Sequence, residues 1–164
     1  MRERDTVTVG EVKLTGYPYV FYSPETEFAI GGALIFTKRL SADSTVKPSS
    51  AMISGYYSAT HSYDLFFNPE FFLAEDRYYL GIIADYWRFV DKFWGYGNNS
   101  PDSDNVGYIR KIFSVNVEFD VRVLGPLKVG LNYDLNYTTI EDKQTNPFLL
   151  SGSVVGADGG TSSG

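Results

Sequence analysis

Hydrophobic and polar positions alternate along this chain with a period of two. From Phe113 to Leu124 one set reads Phe113, Val115, Val117, Phe119, Val121, Val123, and the other Ser114, Asn116, Glu118, Asp120, Arg122, Leu124. After Gly125-Pro126 the pattern resumes, with Leu127, Val129, Leu131, Tyr133, Leu135 and Tyr137 against Lys128, Gly130, Asn132, Asp134, Asn136 and Thr138. Side chains of a strand point alternately to opposite faces, so this predicts a hairpin with one apolar and one hydrophilic face. Helical spacing would mix charges into any apolar stripe.

Upstream the alternation continues less purely. Phe28, Ile30, Gly32, Leu34 and Phe36 oppose Ala29, Gly31, Ala33 and Thr37; Ala51, Ile53, Gly55 and Tyr57 oppose Met52, Ser54, Tyr56 and Ser58. Tyr63, Leu65, Phe67, Phe71 and Leu73 oppose Asp64, Asn68 and Glu70, and Leu80, Ile82, Ala84 and Tyr86 oppose Gly81, Ile83 and Asp85. The pattern predicts about seven strands, over 17–22, 28–39, 49–59, 63–74, 78–89, 107–124 and 127–140, behind a lead-in over 1–16. Several reach the ~9–11 residues of a tilted membrane-crossing strand, against ~5–6 for soluble strands. Connections alternate too: 41–48, 75–77 and 125–126 are short, whereas 89–105 and 141–160 are long and polar. Short turns at one end and long loops at the other are the habit of outer-membrane barrels. Links 23–27 and 60–62 are short for the long-loop end.

Composition sharpens this picture. Aromatic residues make up 16% of the 164, with 13 Tyr and 12 Phe, which suits a boundary between apolar and wet surroundings. The net charge of −6 and the scattered Lys and Arg argue against a nucleic-acid partner. Cysteine is absent, which excludes thiolate metal sites and disulfides. No apolar segment follows Met1–Asp5 as a signal peptide requires, and no run approaches the ~20 residues of a membrane helix. The Gly-Ser-rich tail reads as a loop about to enter another strand, and seven strands with open edges in lipid would leave backbone groups unpaired. The expectation is therefore part of a longer barrel. An all-β antiparallel up-and-down transmembrane β-barrel covers 17–164. The same alternation is also compatible with a soluble sandwich or lipocalin-type barrel that turns its apolar face inward and binds an apolar ligand.

Catalytic chemistry finds little to work with. His61 is the only histidine, so neither a histidine metal cluster nor a triad can be assembled. The carboxylates Glu118, Asp120 and Asp134, with Arg122 and Lys128 nearby, read as a hydrated wall held by cross-strand ion pairs and hydrogen bonds rather than an acid–base pair. The loop Pro101-Asp102-Ser103-Asp104 lacks the spacing of a calcium loop. No enzyme activity, cofactor or metal is expected. Pro69 cannot donate to a ladder, so it is expected at an edge, a bulge or a strand end.

Certain stretches in order also resemble a known family. They are Tyr22-Ser23-Pro24-Glu25-Thr26-Glu27 leading into 28–39, Asn68-Pro69-Glu70-Phe71-Phe72, Phe93-Trp94-Gly95-Tyr96-Gly97-Asn98, the run from Val123 to Leu131 around Gly125-Pro126, and Gly159-Gly160. Together they resemble the barrel of the bacterial surface antigen family, which holds the BamA- and TamA-type outer-membrane insertases. The resemblance implies the first seven strands of a 16-stranded barrel. It implies a bacterial outer-membrane location and a role in assembling or translocating proteins there, with a passive pore or structural barrel as the alternative. It also implies partners: outer-membrane lipid, client outer-membrane proteins and the rest of the barrel. The stretch before Tyr17 is too short for periplasmic POTRA domains, and the family's Arg-containing loop motif is not among these residues. By the resemblance Pro18, Tyr19, Val20, Phe21 and Tyr22 form the lateral seam strand, which adds a client strand by backbone pairing. Val115, Val117, Phe119, Leu131, Tyr133 and Leu135 are expected to face lipid. Asn116, Glu118, Asp120, Arg122, Asn132 and Asp134 are expected to face the lumen.

Overall fold

The computed structural model describes residues 9–93, 106–141 and 160–164. Candidates beyond these, including Trp94, Tyr96 and the Pro101–Asp104 stretch, lie outside the described residues. Strands β1 (Val12–Ser23), β2 (Glu27–Lys38), β3 (Ser49–Ser58), β4 (Tyr63–Leu73), β5 (Tyr78–Phe93), β6 (Val106–Leu124) and β7 (Leu127–Glu141) are followed by a short β8 (Gly160–Ser163). They form one sheet in sequence order with every neighbour antiparallel, an up-and-down meander. The sheet is open: β1 and β8 are its edges, and no pairing between described residues joins them into a barrel.

Two boundaries differ from the pattern-based reading. The first strand begins at Val12, five residues before the predicted start at 17, so the last five residues of the supposed lead-in are strand. Val12 and Leu14 already alternate with Lys13 and Thr15, and the ladder runs on to the pair Val12↔Lys38. Gly16 and Pro18 mask this signal, since neither residue type favours a strand. β5 likewise extends to Phe93 because β6 offers it a partner at every step from Tyr78↔Val121 to Phe93↔Val106.

The register makes the two faces continuous across strands. Rows such as Leu34, Ile53 and Phe67, or Ala84, Val115 and Leu135, run sideways through the sheet on one face. That apolar face is the exposed one: Leu131 is 81% exposed and Val20 62%. The buried apolar side chains among the described residues are Ala29, Ala33, Val46 and Pro69. Ala29 and Ala33 lie on the second face, where Gly31 sits between them and β1 and β3 bring aromatic rings alongside. Tyr19 reaches across Gly31 to donate to the Gly55 carbonyl at 3.2 Å, and the Phe21 ring meets Tyr56 edge-on at 5.0 Å. A Cβ at Gly31 would strike both Tyr19 and Tyr56, at 2.7 Å.

Pro69 corrects the sequence expectation. It lies inside β4, a central strand, at neither an edge nor a bulge. Phe67↔Ala84 and Glu70↔Gly81 place it opposite Ile82, whose carbonyl would receive the N–H that proline lacks. The neighbouring Asn68 donates its side-chain amide to that carbonyl at 2.9 Å, so the acceptor is satisfied.

Candidate functional site

Three surfaces carry the candidate residues: the apolar face, the second face and the β1 edge. On the apolar face the strands β6 and β7 set Val115 opposite Leu135, Val117 opposite Tyr133 and Phe119 opposite Leu131. All six predicted residues thus share one face. The positions Phe113 to Val123 span about 34 Å at ~3.4 Å per residue, or ~26 Å along an axis from which the strands would tilt by about 40°.

Charged and aromatic side chains bound this band at both ends. On one side Tyr57 stacks on Tyr63 with centroids 6.5 Å apart, and Tyr63 meets Tyr86 at 5.8 Å. Beside them Arg88 donates to the His61 carbonyl at 2.6 Å and Lys111 pairs with Glu141 at 2.7 Å. His61 sits in the exposed β3–β4 turn, and its Nδ1 shares a 2.6 Å hydrogen bond with the Tyr57 hydroxyl. On the other side Tyr78 stacks on Phe119 at 6.3 Å, with the Arg77 guanidinium 5.6 Å from the Tyr78 ring.

The second face gathers the predicted polar set. Asn116 donates to Asp134 at 2.7 Å and to Asn132 at 3.0 Å. Asp120 lies over Gly130, where a Cβ would collide with its carboxylate and with the Phe119 carbonyl. Glu118 stands opposite Asn132. The cross-strand ion pairs expected among Glu118, Asp120, Asp134, Arg122 and Lys128 are not the ones formed. Arg122 and Lys128 are directly opposite each other, two cations that would repel, and both instead bond to Asp76 from the β4–β5 turn, Lys128 at 2.7 Å. The Lys128 hydrogen bond, ahead of the charges of Lys128 and Arg122, holds the Asp76 carboxyl below the usual range. Backbone and side-chain bonds from Thr45 do the same for Asp43 in the β2–β3 link.

That turn is under strain. Ala74, Glu75 and Asp76 all have positive φ, at 48°, 56° and 64°, a left-handed run disfavoured for residues with a Cβ. The Asp76 contacts compensate it, and the Arg122 N–H bonds the Arg77 carbonyl at 2.8 Å. Sequence reasoning missed Asp76, because a turn carboxylate acquires meaning only once the register brings two strands to it. It also missed the acidic neighbours Asp64 and Asp85 of the second face, each with one carboxylate oxygen lacking a partner. Their diagonal placement follows from the pair Phe66↔Asp85.

The opposite ends of the early strands are tied by a knot of hydroxyls. Ser58, Ser62 and Thr26 are buried. Thr60 bridges Ser58 and Ser62 at 3.1 and 3.2 Å, and it donates to the Thr26 carbonyl at 3.3 Å. This explains why the links 24–26 and 59–62 are so short at an end where long loops were expected.

The predicted seam residues lie on the open edge but divide between the faces. Pro18, Val20 and Tyr22 align with Gly32, Ile30 and Phe28 of the apolar face, whereas Tyr19 and Phe21 join the second face. Ala59 donates to the Phe28 carbonyl, so even-numbered residues of β2 bond toward β3 and odd-numbered ones toward β1. Even-numbered β1 residues consequently direct their backbone groups outward. Pro18 is one of them, and its missing donor falls on the open side, where no ladder bond is lost.

Among the described residues no group of three or more His, Asp or Glu is arranged to hold a metal ion. Comparison with protein-family models, with curated proteins and with solved structures finds no match.

Proposed function

We propose that this chain is the first part of a bacterial outer-membrane β-barrel of the surface antigen family, closing with further strands and assisting the assembly or translocation of proteins at that membrane. The observation that carries the membrane reading is the unbroken, exposed apolar face of seven strands. Its span of ~26 Å from Phe113 to Val123 agrees with the ~25 Å apolar band of such barrels. On this reading Val115, Val117, Phe119, Leu131, Tyr133 and Leu135 contact lipid. Asn116, Glu118, Asp120, Arg122, Asn132 and Asp134 line a hydrated lumen. A soluble barrel with its apolar face inward is disfavoured by the exposure of that face, as at Leu131 and Val20. The family and the insertase role rest on the sequence resemblance.

In this proposal the β1 edge, over Pro18–Tyr22, is the seam at which a client strand adds. Pro18 favours a second reading, a passive pore or structural barrel, because its lost donor weakens any strand that pairs there. Reconstitution into phospholipid vesicles separates the two. Accelerated folding of an added outer-membrane client supports the assembly role, and ion conductance without any effect on client folding rules it out. Failure to enter vesicles or detergent micelles, with full solubility in buffer, defeats the membrane reading altogether.

A further inference from the structure

Strand-interior glycines usually lack a side chain because something occupies its place. Here a Cβ would come within 2.5 Å of the Gly55 carbonyl at Gly31, 2.6 Å of the Asp64 carbonyl at Gly55, 2.6 Å of the Tyr79 hydroxyl at Gly81 and 1.8 Å of Asp120 at Gly130; at Gly16 it would meet Leu34 at 2.7 Å. Gly32 differs. Its Cβ would find only ordinary contacts, 3.5 Å from the Tyr17 carbonyl and 4.0 Å from Pro18. Packing therefore does not demand a glycine there, although glycine weakens a strand.

The missing side chain opens a trough on the apolar face. Pro18, Gly32, Gly55 and Leu65 form one row across β1–β4; the first three make its floor, and the exposed Leu65 side chain, which leans over Gly55, closes it at β4. Ile30 and Tyr57 rise on one side, Leu34 and Ile53 on the other, and the space holds about 960 Å³. Three strands at ~4.8 Å spacing give a floor about 10 Å long. The walls belong to positions four residues apart, about 14 Å between Cα atoms before their side chains narrow the gap. A trough of this width admits an extended hydrocarbon chain. At the β4 end the trough meets Tyr63, and Arg88 stands opposite Tyr63 on β5.

We propose that this trough holds one acyl chain of a phospholipid, with the lipid phosphate at the Arg88 guanidinium. The inference rests on the membrane reading of the apolar face. It adds a fixed lipid site to a surface that elsewhere meets only exchanging lipid. A polypeptide fits less well, since a cation at one end and an uninterrupted apolar floor offer nothing to its backbone groups.

Photolabelling of the full chain in phosphatidylethanolamine–phosphatidylglycerol nanodiscs tests it, using a phosphatidylethanolamine with a diazirine at the chain end. The trough segments 16–34 and 53–65 are expected to take about tenfold more label per residue than 115–135, the ratio that ~1.4 kcal/mol of preferential binding gives. Gly32→Leu fills the floor and lowers trough labelling to that of 115–135. Gly32→Ala, whose Cβ meets only ordinary contacts, lowers it part of the way and covers the case in which the leucine variant does not fold. Equal labelling of both surfaces in the unaltered chain, or undiminished labelling in a folded Gly32→Leu, overturns the lipid site while leaving the membrane reading intact. Absence of label from both surfaces fails the membrane reading itself. Cross-linked pairs of chains through the trough in place of lipid adducts would assign it to a second copy and also overturn the proposal.

Discussion

Strands β5–β7 and strands β1–β4 of the one sheet obey one alternation but hold themselves together differently. In β6–β7 the second face is polar throughout, from Ser114 to Arg122 and from Lys128 to Thr138, and it is joined by side-chain hydrogen bonds such as Asn116 to Asp134. Its strands are long, and a two-residue turn joins them, with Gly125 at φ 54°. In β1–β4 the second face instead lays Tyr19, Phe21 and Tyr56 over Ala29, Gly31 and Ala33, and buried hydroxyls tie its short links. Strands β6 and β7 keep their second face wet, β5 lays Trp87 and Phe89 on it edge to face at 5.6 Å, and the early strands make a thin local core. The early half also carries the open edge, the glycine trough and the proline that β4 must compensate. Irregularity is thus concentrated where the proposed lipid site and seam lie.

Charge placed on the apolar face gives the largest expected effect and tests whether both halves share one environment. Val117→Arg is expected to destabilise the protein folded in phospholipid vesicles by about 2–4 kcal/mol, measured by urea unfolding, with a similar loss for Ile53→Arg in the early half. Equal stability of the two variants and the unaltered chain would place both faces in water. A loss for one alone would split the halves.

Next comes the proline of β4. Asn68→Ala strips the Ile82 carbonyl of its donor and is expected to cost about 1–3 kcal/mol. Pro69→Ala restores a backbone N–H at that place, so the double variant is expected to recover most of the loss. A thermodynamic cycle on unfolding checks the coupling; strict additivity would mean that the asparagine acts elsewhere.

A smaller effect is expected at the turn that clamps the later half. Asp76→Asn removes the anion between Arg122 and Lys128, for about 1 kcal/mol or less at neutral pH, given its partly solvated partners. Because the folded carboxyl lies below its unfolded value near ~3.9, its contribution is complete above that value and vanishes as pH falls through the folded one. The stability of the unaltered chain is thus expected to fall more steeply on acidification below pH ~4 than that of Asp76→Asn, as read by unfolding at stepped pH. Parallel curves would remove Asp76 from the clamp.

The smallest change in stability is expected at the open edge. Pro18→Ala adds an outward N–H to β1 and is expected to shift unfolding by no more than about 0.5 kcal/mol, while increasing strand-mediated association in chemical cross-linking. A large loss of stability would show that the Pro18 nitrogen faces the ladder instead.

Much of this was legible from alternation alone. The parity of Phe113 through Tyr137 assigns those side chains to a face before any partner is known, since a strand has only two sides, except at the end of β6, where a register shift pairs Leu124 of the polar set with Leu127 of the apolar one. The same parity carries Val115 and Leu131 to one face and Asn116 and Asp134 to the other. It faltered at Gly16 and Pro18, where residues poor in strand propensity concealed the first half of β1, and at Pro69, where a side chain supplies what the backbone cannot.

Local periodicity by itself determined the strands, their order of turns and the two chemically distinct faces, because these follow from the geometry of one extended chain. Only the tertiary structure decided which residues become neighbours across strands. Register brings Asp76 between two opposed cations, lays Tyr19 over Gly31 and lines up Pro18, Gly32 and Gly55 into one trough. Such juxtapositions depend on a sideways alignment that no single strand encodes, and a slip of one residue would undo them all.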